Sequence, residues 1–463
     1  MFLLINNIKV LFRRLNQKGS FAQNFAITFS GSALITIIGF ILTPVMSRIY
    51  SPQEYGIFSV INSIIGNLNV FSSLTYLGAF LLEKNIRKFY SLVQLTLILN
   101  FVTCFLLVAS LIFFKVPFLS FFNIISIDNW IYTIPLLLLI ANLNSIMNNW
   151  LLRDKRFKER ASVDVGSSLV GRVSSIGYGY YISNSFSGLI IGDFLLRAFK
   201  FIGFLKSGIY TQLPYLFSGF SINRIKNLAI KYKDFPLYQL PTNYFNLISL
   251  QLPIFVLASY FGSTTVGLYG FSVNLLGIPL NLMERTVAPV FYQKAAEVYL
   301  SDKTQLKKIT SEIYDKLIYI SIVPFSIITV FGDVIFKLAF GAKWEMAGVF
   351  TAYLGFSYVF KLIVNCFSGV FAIVNKQRLE FICNFIGLIL RSCALFIGIY
   401  FNDLNLAVLA FGIASFISYF IISMLLFKII GVKIWAKVIK TLVLIALSFI
   451  FFKGIRIFAE LLI

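Results

Sequence analysis

Five ionisable residues fall in the middle of long apolar stretches: Arg172, Asp193, Arg197, Lys361 and Arg391. Charge in such a setting is expensive, so each is by default a functional position. Four of the five are cationic. Surplus fixed positive charge suits an anionic ligand, with arginine gripping phosphate through its planar fork and lysine acting as a point charge. A diphosphate on a lipid fits this chemistry, its head in a polar cavity and its tail in the bilayer. Arg172 and Arg197 lie similarly far from a turn near Asn184, and Lys361 and Arg391 similarly far from one near Asn375. Each half of the chain therefore holds a cationic layer near one depth. Asp193 and Arg197 are also i,i+4 neighbours, and an internal ion pair is the competing reading of that trio. No mid-span acid is evident near Lys361 and Arg391; Glu284 lies lower, beside Arg285. Asp193 and Glu284 are the ion-coupling candidates.

Two polar stripes accompany these charges. Asn62, Gly66, Asn69 and Ser73 step by four, three and four, which places them on one helical face. Asn274, Gly277, Asn281 and Arg285 repeat the pattern in the second half. Such faces turn away from lipid, towards a partner helix or a wet cavity. Hydrogen-bonded helix glue is the competing reading for any single residue. Asn69, Asn281 and Arg285 join the substrate-binding candidates on this ground.

The elements that position these residues are transmembrane helices. A hydrocarbon core of about 30 Å needs roughly 20 apolar residues per helix, and every backbone polar group inside it must be paired within the segment. The chain is 59% hydrophobic and 13% charged, with mean hydropathy +0.87, where a soluble chain carries roughly a quarter charged residues. Spans are expected near 22–46, 57–82, 91–114, 130–152, 162–183, 186–206, 236–261, 265–291, 314–336, 347–374, 378–401 and 404–429, with a thirteenth from about 434 to 452. The net charge of +22 suggests nucleic acid until its placement is read. Alternate breaks hold 28 of the lysines and arginines, and the breaks between them only Arg48, Lys115, Lys337 and Lys343. By the positive-inside rule the N-terminus and the region near residue 430 are cytoplasmic, in a multi-pass membrane protein. Trp130, Trp150, Trp344 and Trp435 all sit at span ends, where indole marks the headgroup level.

The longest polar break, Gly208 to Asp234, carries a basic amphipathic piece from Ile222 to Lys233 and separates six spans from six. An even number per half permits a parallel repeat. The joint Tyr50–Phe58 and the joint Phe261–Tyr269 share aromatic, turn pair, Gly and aromatic in step, offset by 211 residues from Gly56 to Gly267. The expected divisions are 1–206, a cytoplasmic linker 207–235, 236–430 and a hydrophobic tail 431–463. Histidine is absent, and Cys104, Cys366, Cys383 and Cys393 all lie within spans without ligand spacing. They read as small core side chains, so no metal and no cofactor is expected. Without a nucleotide-binding loop or a large outer loop, the chain reads as a transporter rather than an enzyme.

Leu42–Phe58 (LTPVMSRIYSPQEYGIF), Val266–Leu280 (VGLYGFSVNLLGIPL) and Ala288–Phe291 (APVF) resemble polysaccharide-biosynthesis flippases of the O-antigen (Wzx) type. These belong to the multidrug/oligosaccharidyl-lipid/polysaccharide exporter superfamily. The resemblance implies an all-α polytopic membrane protein, two six-helix lobes in a V around a central cavity. It implies transfer of undecaprenyl-diphosphate-linked oligosaccharide from the cytoplasmic to the periplasmic leaflet, for O-antigen, capsule or exopolysaccharide. The partners it implies are that substrate and membrane lipid, with room for a polysaccharide polymerase and no nucleic acid. Arg48 matches the family's arginine at the first-span exit, which adds it to the substrate-binding set. The alternative is a multidrug or cation antiporter of the same fold, which would call for acidic cavity groups.

Overall fold

A computed structural model describes residues 21–301, 303–374, 376–432 and 434–461. Among them the chain is helical, without strands. The first unit holds α1 (Phe21–Ile49), most of α2 (Pro52–Ser72), α3 (Ile86–Phe121), α4 (Thr133–Arg153), α5 (Phe157–Tyr181), α6 (Phe186–Phe204) and the short α7 (Ile222–Lys231). The second holds α8 (Leu240–Ser301, from residue 245 on), α9 (Lys303–Phe340), α10 (Glu345–Phe367), α11 (Gln377–Tyr400), α12 (Leu404–Ile430) and α13 (Ile434–Leu461). α8 contains two expected spans. Its helical path breaks at Gly262, whose φ of +82° a side chain would strain.

Among the described residues, nine segments are long and apolar enough to cross a membrane by length and composition. The expected spans outside that set are α2, α5 and α6. α2 and α5 are less apolar, with Asn62 and Asn69 in the one and Arg172 in the other, whereas α6 is apolar but carries three charges, Asp193, Arg197 and Lys200. Their polar groups face protein. α5 and α6 meet through Gly171 and Gly192, where a methyl on Gly171 would lie 2.7 Å from Leu196 Cβ and 3.0 Å from the Gly192 carbonyl. Small residues bring helices this close in a membrane, where dispersion and interhelical hydrogen bonds replace the hydrophobic drive.

The unit boundary runs through α2. Residues 51–60 belong to the second unit and the rest of α2 to the first. The buried Tyr50 anchors the joint in the first unit, its hydroxyl donating to the Ser175 carbonyl at 2.6 Å. Five residues on, Tyr55 sets its ring edge against Trp344 at 5.2 Å and Phe271 at 5.6 Å, inside the second unit. Gly56 and Gly267 sit at the crossing of α2 and α8. A methyl on Gly56 would run into the Ser263 carbonyl, and one on Gly267 into the Pro52 carbonyl. Shifting Pro52 and Gly56 by the repeat offset of 211 gives positions 263 and 267. The contact is therefore reciprocal: each glycine meets the start of the other's helix.

Residues 207–235, expected as a linker, are built into the first unit. Leu216, Ile225, Leu228 and Tyr232 join Phe80, Phe89 and Trp150 in one buried cluster. Two tryptophans depart from the interface reading. Trp150 and Trp344 are core residues, Trp150 against Phe89 at 5.1 Å and Trp344 stacked on Phe271 at 4.1 Å, while Trp435 is exposed. A span end is also where aromatics close the helix bundle, and there packing outcompetes the headgroup layer.

The tail forms α13, which lies lengthwise beside α9. Lys437 meets Asp315 at 2.6 Å, Thr441 meets Tyr314, Ser448 meets Ser326, and Arg456 clasps Asp333 with both terminal nitrogens at 2.9 and 2.8 Å. From the start of α13 to its end the partners advance from residues 314 and 315 to 333, so the helices run parallel. The basic cluster before residue 20, on which the cytoplasmic N-terminus partly rests, lies outside the described residues.

Candidate functional site

In the first unit the cations part company. Arg172 leaves α5 towards α1, its Nη1 donating to Thr43 Oγ1 at 3.3 Å, with Nη2 3.1 Å from where a Gly39 methyl would be. Gly39 thus makes room for the guanidinium. Arg197 leaves α6 towards α2. Its Nε donates to Asp193 Oδ2 at 2.7 Å and its Nη2 to Asn62 Oδ1 at 3.1 Å. Asn144 of α4 holds the Arg197 carbonyl at 2.9 Å. Arg197 and Asp193 form an ion pair, seated on the Asn62 stripe. Farther along α2, Asn69 has a buried side-chain oxygen with no hydrogen-bond partner. Beside this stripe a buried amide network joins Asn142 to Ser72 and, at 3.1 Å, to Asn100. Arg48 is exposed at the end of α1.

In the second unit four helices converge on one cluster. Arg391 of α11 is only 6% exposed. Its Nη1 donates to Ser249 Oγ of α8 at 2.8 Å, and its guanidinium lies 4.5 Å from the Tyr419 ring centre of α12. Its Nε is buried with no hydrogen-bond partner. Lys361 of α10 places its ammonium 4.6 Å from the Tyr358 ring centre, and it feels the charges of Arg391 and Glu284. Glu284 of α8 accepts from Asn365 Nδ2 at 2.8 Å, one turn of α10 from Lys361. The carboxylate that the sequence places lower is thus electrostatically part of the cluster. Tyrosine faces stabilise the cations without neutralising them, and Ser249 is a neutral partner. An anion entering here would meet a lysine and an arginine whose Nε awaits an acceptor. Asn281 is exposed on α8; the side chain of Arg285 lies outside what the structure describes.

Tyr358, Tyr419, Ser249 and Asn365 are not evident from sequence. Tyr358 and Asn365 left a signal, three residues before and four after Lys361 on one helical face. Among the described residues no group of His, Cys, Asp and Glu is placed to hold a metal.

With this geometry in hand, comparison places the protein. Residues 45–348 match the family described as polysaccharide biosynthesis protein. The chain belongs to that family. No curated protein matches it closely. Among solved structures it resembles the lipid II flippase MurJ in an inward closed conformation, with TM-score 0.66 and 14% identity over 94% of this chain and 99% of that one. It also resembles an inward-facing multidrug resistance MATE transporter of the MOP superfamily (TM-score 0.64, 12% identity, 91% and 98% covered). A third is a MOP superfamily transporter from Pyrococcus furiosus, described by the reverse polarity of its binding pocket (TM-score 0.53, 12% identity, 88% and 94% covered). At such identities the likeness establishes a shared fold for a multi-span membrane protein.

Proposed function

We propose that the protein is a flippase for undecaprenyl-diphosphate-linked oligosaccharide, moving it from the cytoplasmic to the periplasmic leaflet of the inner membrane for O-antigen, capsule or exopolysaccharide synthesis. Lys361 and Arg391 bind the diphosphate. Arg391 carries the proposal: a buried guanidinium with one neutral hydrogen-bond partner, one aromatic face and a buried Nε without an acceptor, beside a second cation. A structural arginine would be matched by a carboxylate, as Arg197 is by Asp193. Family membership supplies the saccharide context, and the resemblance to a lipid II flippase supports a lipid diphosphate as cargo. Glu284 is the ion-coupling candidate.

The cation-antiporter reading draws support from the MATE likeness. It needs free acidic groups, whereas Asp193 is paired with Arg197 and Glu284 lies in the field of Lys361. The test is complementation of a deletion strain at native expression with Lys361→Ala and Arg391→Ala, scored by surface polymer and by protein level in the membrane. Loss of polymer at normal protein level supports the flippase reading. Full polymer from both variants overturns it.

A further inference from the structure

The segment between α6 and α8 has two faces. Its inner face is buried in the first unit through Ile225, Leu228 and Tyr232. A clamp fixes it there: the Glu83 carboxylate, 6% exposed, accepts from Lys231 Nζ at 2.8 Å and Tyr232 hydroxyl at 3.1 Å. The outer face presents Phe217, Phe220, Ile222 and Ile230, which are 68%, 57%, 70% and 57% exposed. The exposed Lys206, Lys226 and Lys233 lie along the same segment, with Asp234 the one exposed acid between residues 205 and 239. Ile222, Lys226 and Ile230 are successive i,i+4 positions of α7, so apolar and cationic side chains share one stripe.

The chain on either side says what covers this face. α6 ends at Phe204 and α8 begins at Leu240. α6 is an expected span and α8 contains one long and apolar enough to cross, so in the expected topology the intervening segment is tethered at both ends to one bilayer surface. There, bulky apolar groups at acyl depth flanked by lysines at headgroup level match an anionic leaflet. A water-facing surface would have no reason to expose two phenylalanines beside two isoleucines.

We propose that the outer face of residues 206–233 is an anionic phospholipid-binding surface, with Phe217, Phe220, Ile222 and Ile230 inserted below the headgroups and Lys226 and Lys233 engaging the lipid phosphates. The Glu83 clamp sets the orientation in which the face meets the bilayer. This surface is separate from the Lys361–Arg391 cluster and stands whether or not the substrate assignment does.

The test uses the full chain with p-benzoylphenylalanine in place of the exposed Phe217. The protein is reconstituted in nanodiscs of equimolar phosphatidylglycerol and phosphatidylcholine, irradiated and weighed by mass spectrometry. The expected product is a lipid adduct, with phosphatidylglycerol in about fivefold excess over phosphatidylcholine. In Lys226→Glu/Lys233→Glu the excess should fall to parity while lipid adducts persist through the apolar groups. Absence of any lipid adduct overturns the proposal, and so does parity between the lipids in the parent chain. A protein adduct in native membranes instead of a lipid one overturns it in favour of a protein partner.

Discussion

Arg391 and Arg197 are both arginines in the interior of helices, and they are held in opposite ways. Arg197 has Asp193 at 2.7 Å, whereas Arg391 has a serine, a tyrosine ring and a buried Nε without an acceptor. Substitution should separate them. Arg391→Ala or Lys361→Ala should cut transport about ten- to a hundredfold, the worth of one charge-assisted hydrogen bond, with little loss of folded protein. Arg391→Lys should retain part of the activity, because charge persists without the fork. Surface polymer quantified against membrane protein level distinguishes these outcomes. Asp193→Ala should instead lower stability, by up to about 3 kcal/mol, because it strands a cation; Asp193→Ala/Arg197→Ala should recover much of that. Thermal unfolding in detergent reads the difference. The charges themselves were legible in the sequence because an ion in an apolar run stands out. Their partners were not. Arg172 and Arg197 lie at similar counted depth, yet side-chain direction sends one to α1 and the other to α2. Glu284 reads as lower than the cations because counting residues ignores how α8 and α10 pass each other.

At the scale of elements, α7 shows how a segment that reads as linker becomes structural. Burial alone pushes the Glu83 carboxyl up, but bonds from Lys231, the Asn85 amide and Tyr232 outweigh it and hold the carboxyl below its ordinary value of 4.5. The bond to Glu83 in turn holds the Lys231 ammonium above its ordinary 10.5. A carboxyl lowered on folding gives stability that is present above its unfolded value and lost as pH falls through the folded one. A raised lysine gives stability that is present below its unfolded value and lost as pH rises through the folded one. The clamp is therefore intact across neutral pH and fails at both extremes. Glu83→Gln should cost about 1 kcal/mol at neutral pH, because Lys231 is half in solvent and screening removes part of the bond. It should also flatten the acid limb of the melting profile and speed tryptic cleavage after Lys231 and Lys233. The amphipathic character of α7 was visible from its sequence; that its apolar side docks on Phe80 and Phe89 depends on contacts more than a hundred residues away.

For the whole molecule, the charge alternation predicts an orientation that labelling can check. Single cysteines near Ser51 and Asp403 should react with an impermeant reagent from outside, and those near Lys155 and Lys307 should not. Because α13 runs parallel to α9, a cysteine near Glu460 should react like one near Phe340, from the outside. The reverse pattern would reject the orientation, and an inside label at Glu460 would separate α13 from α9. The sequence displayed the helices well, because bilayer thickness imposes a length and charge imposes a side. It placed the division at the 207–235 break but did not reveal that residues 51–60 belong with the second unit. Tyr50 and Tyr55 are near neighbours in a short joint, yet one is anchored in each unit, and only their packing distinguishes them.

The reciprocal crossing of Gly56 and Gly267 has a consequence for how mutations combine. An alanine at either glycine pushes the same two helix starts apart and should cost about 1–3 kcal/mol. Once one methyl has forced that separation, the second enters space already opened. The double variant should therefore cost clearly less than the two singles together, a coupling of about 0.5–3 kcal/mol across 211 residues of sequence. A contact made from two copies of one motif offers mutation twice the target, and a lineage that has accepted a methyl at one copy has already relaxed the constraint on the other.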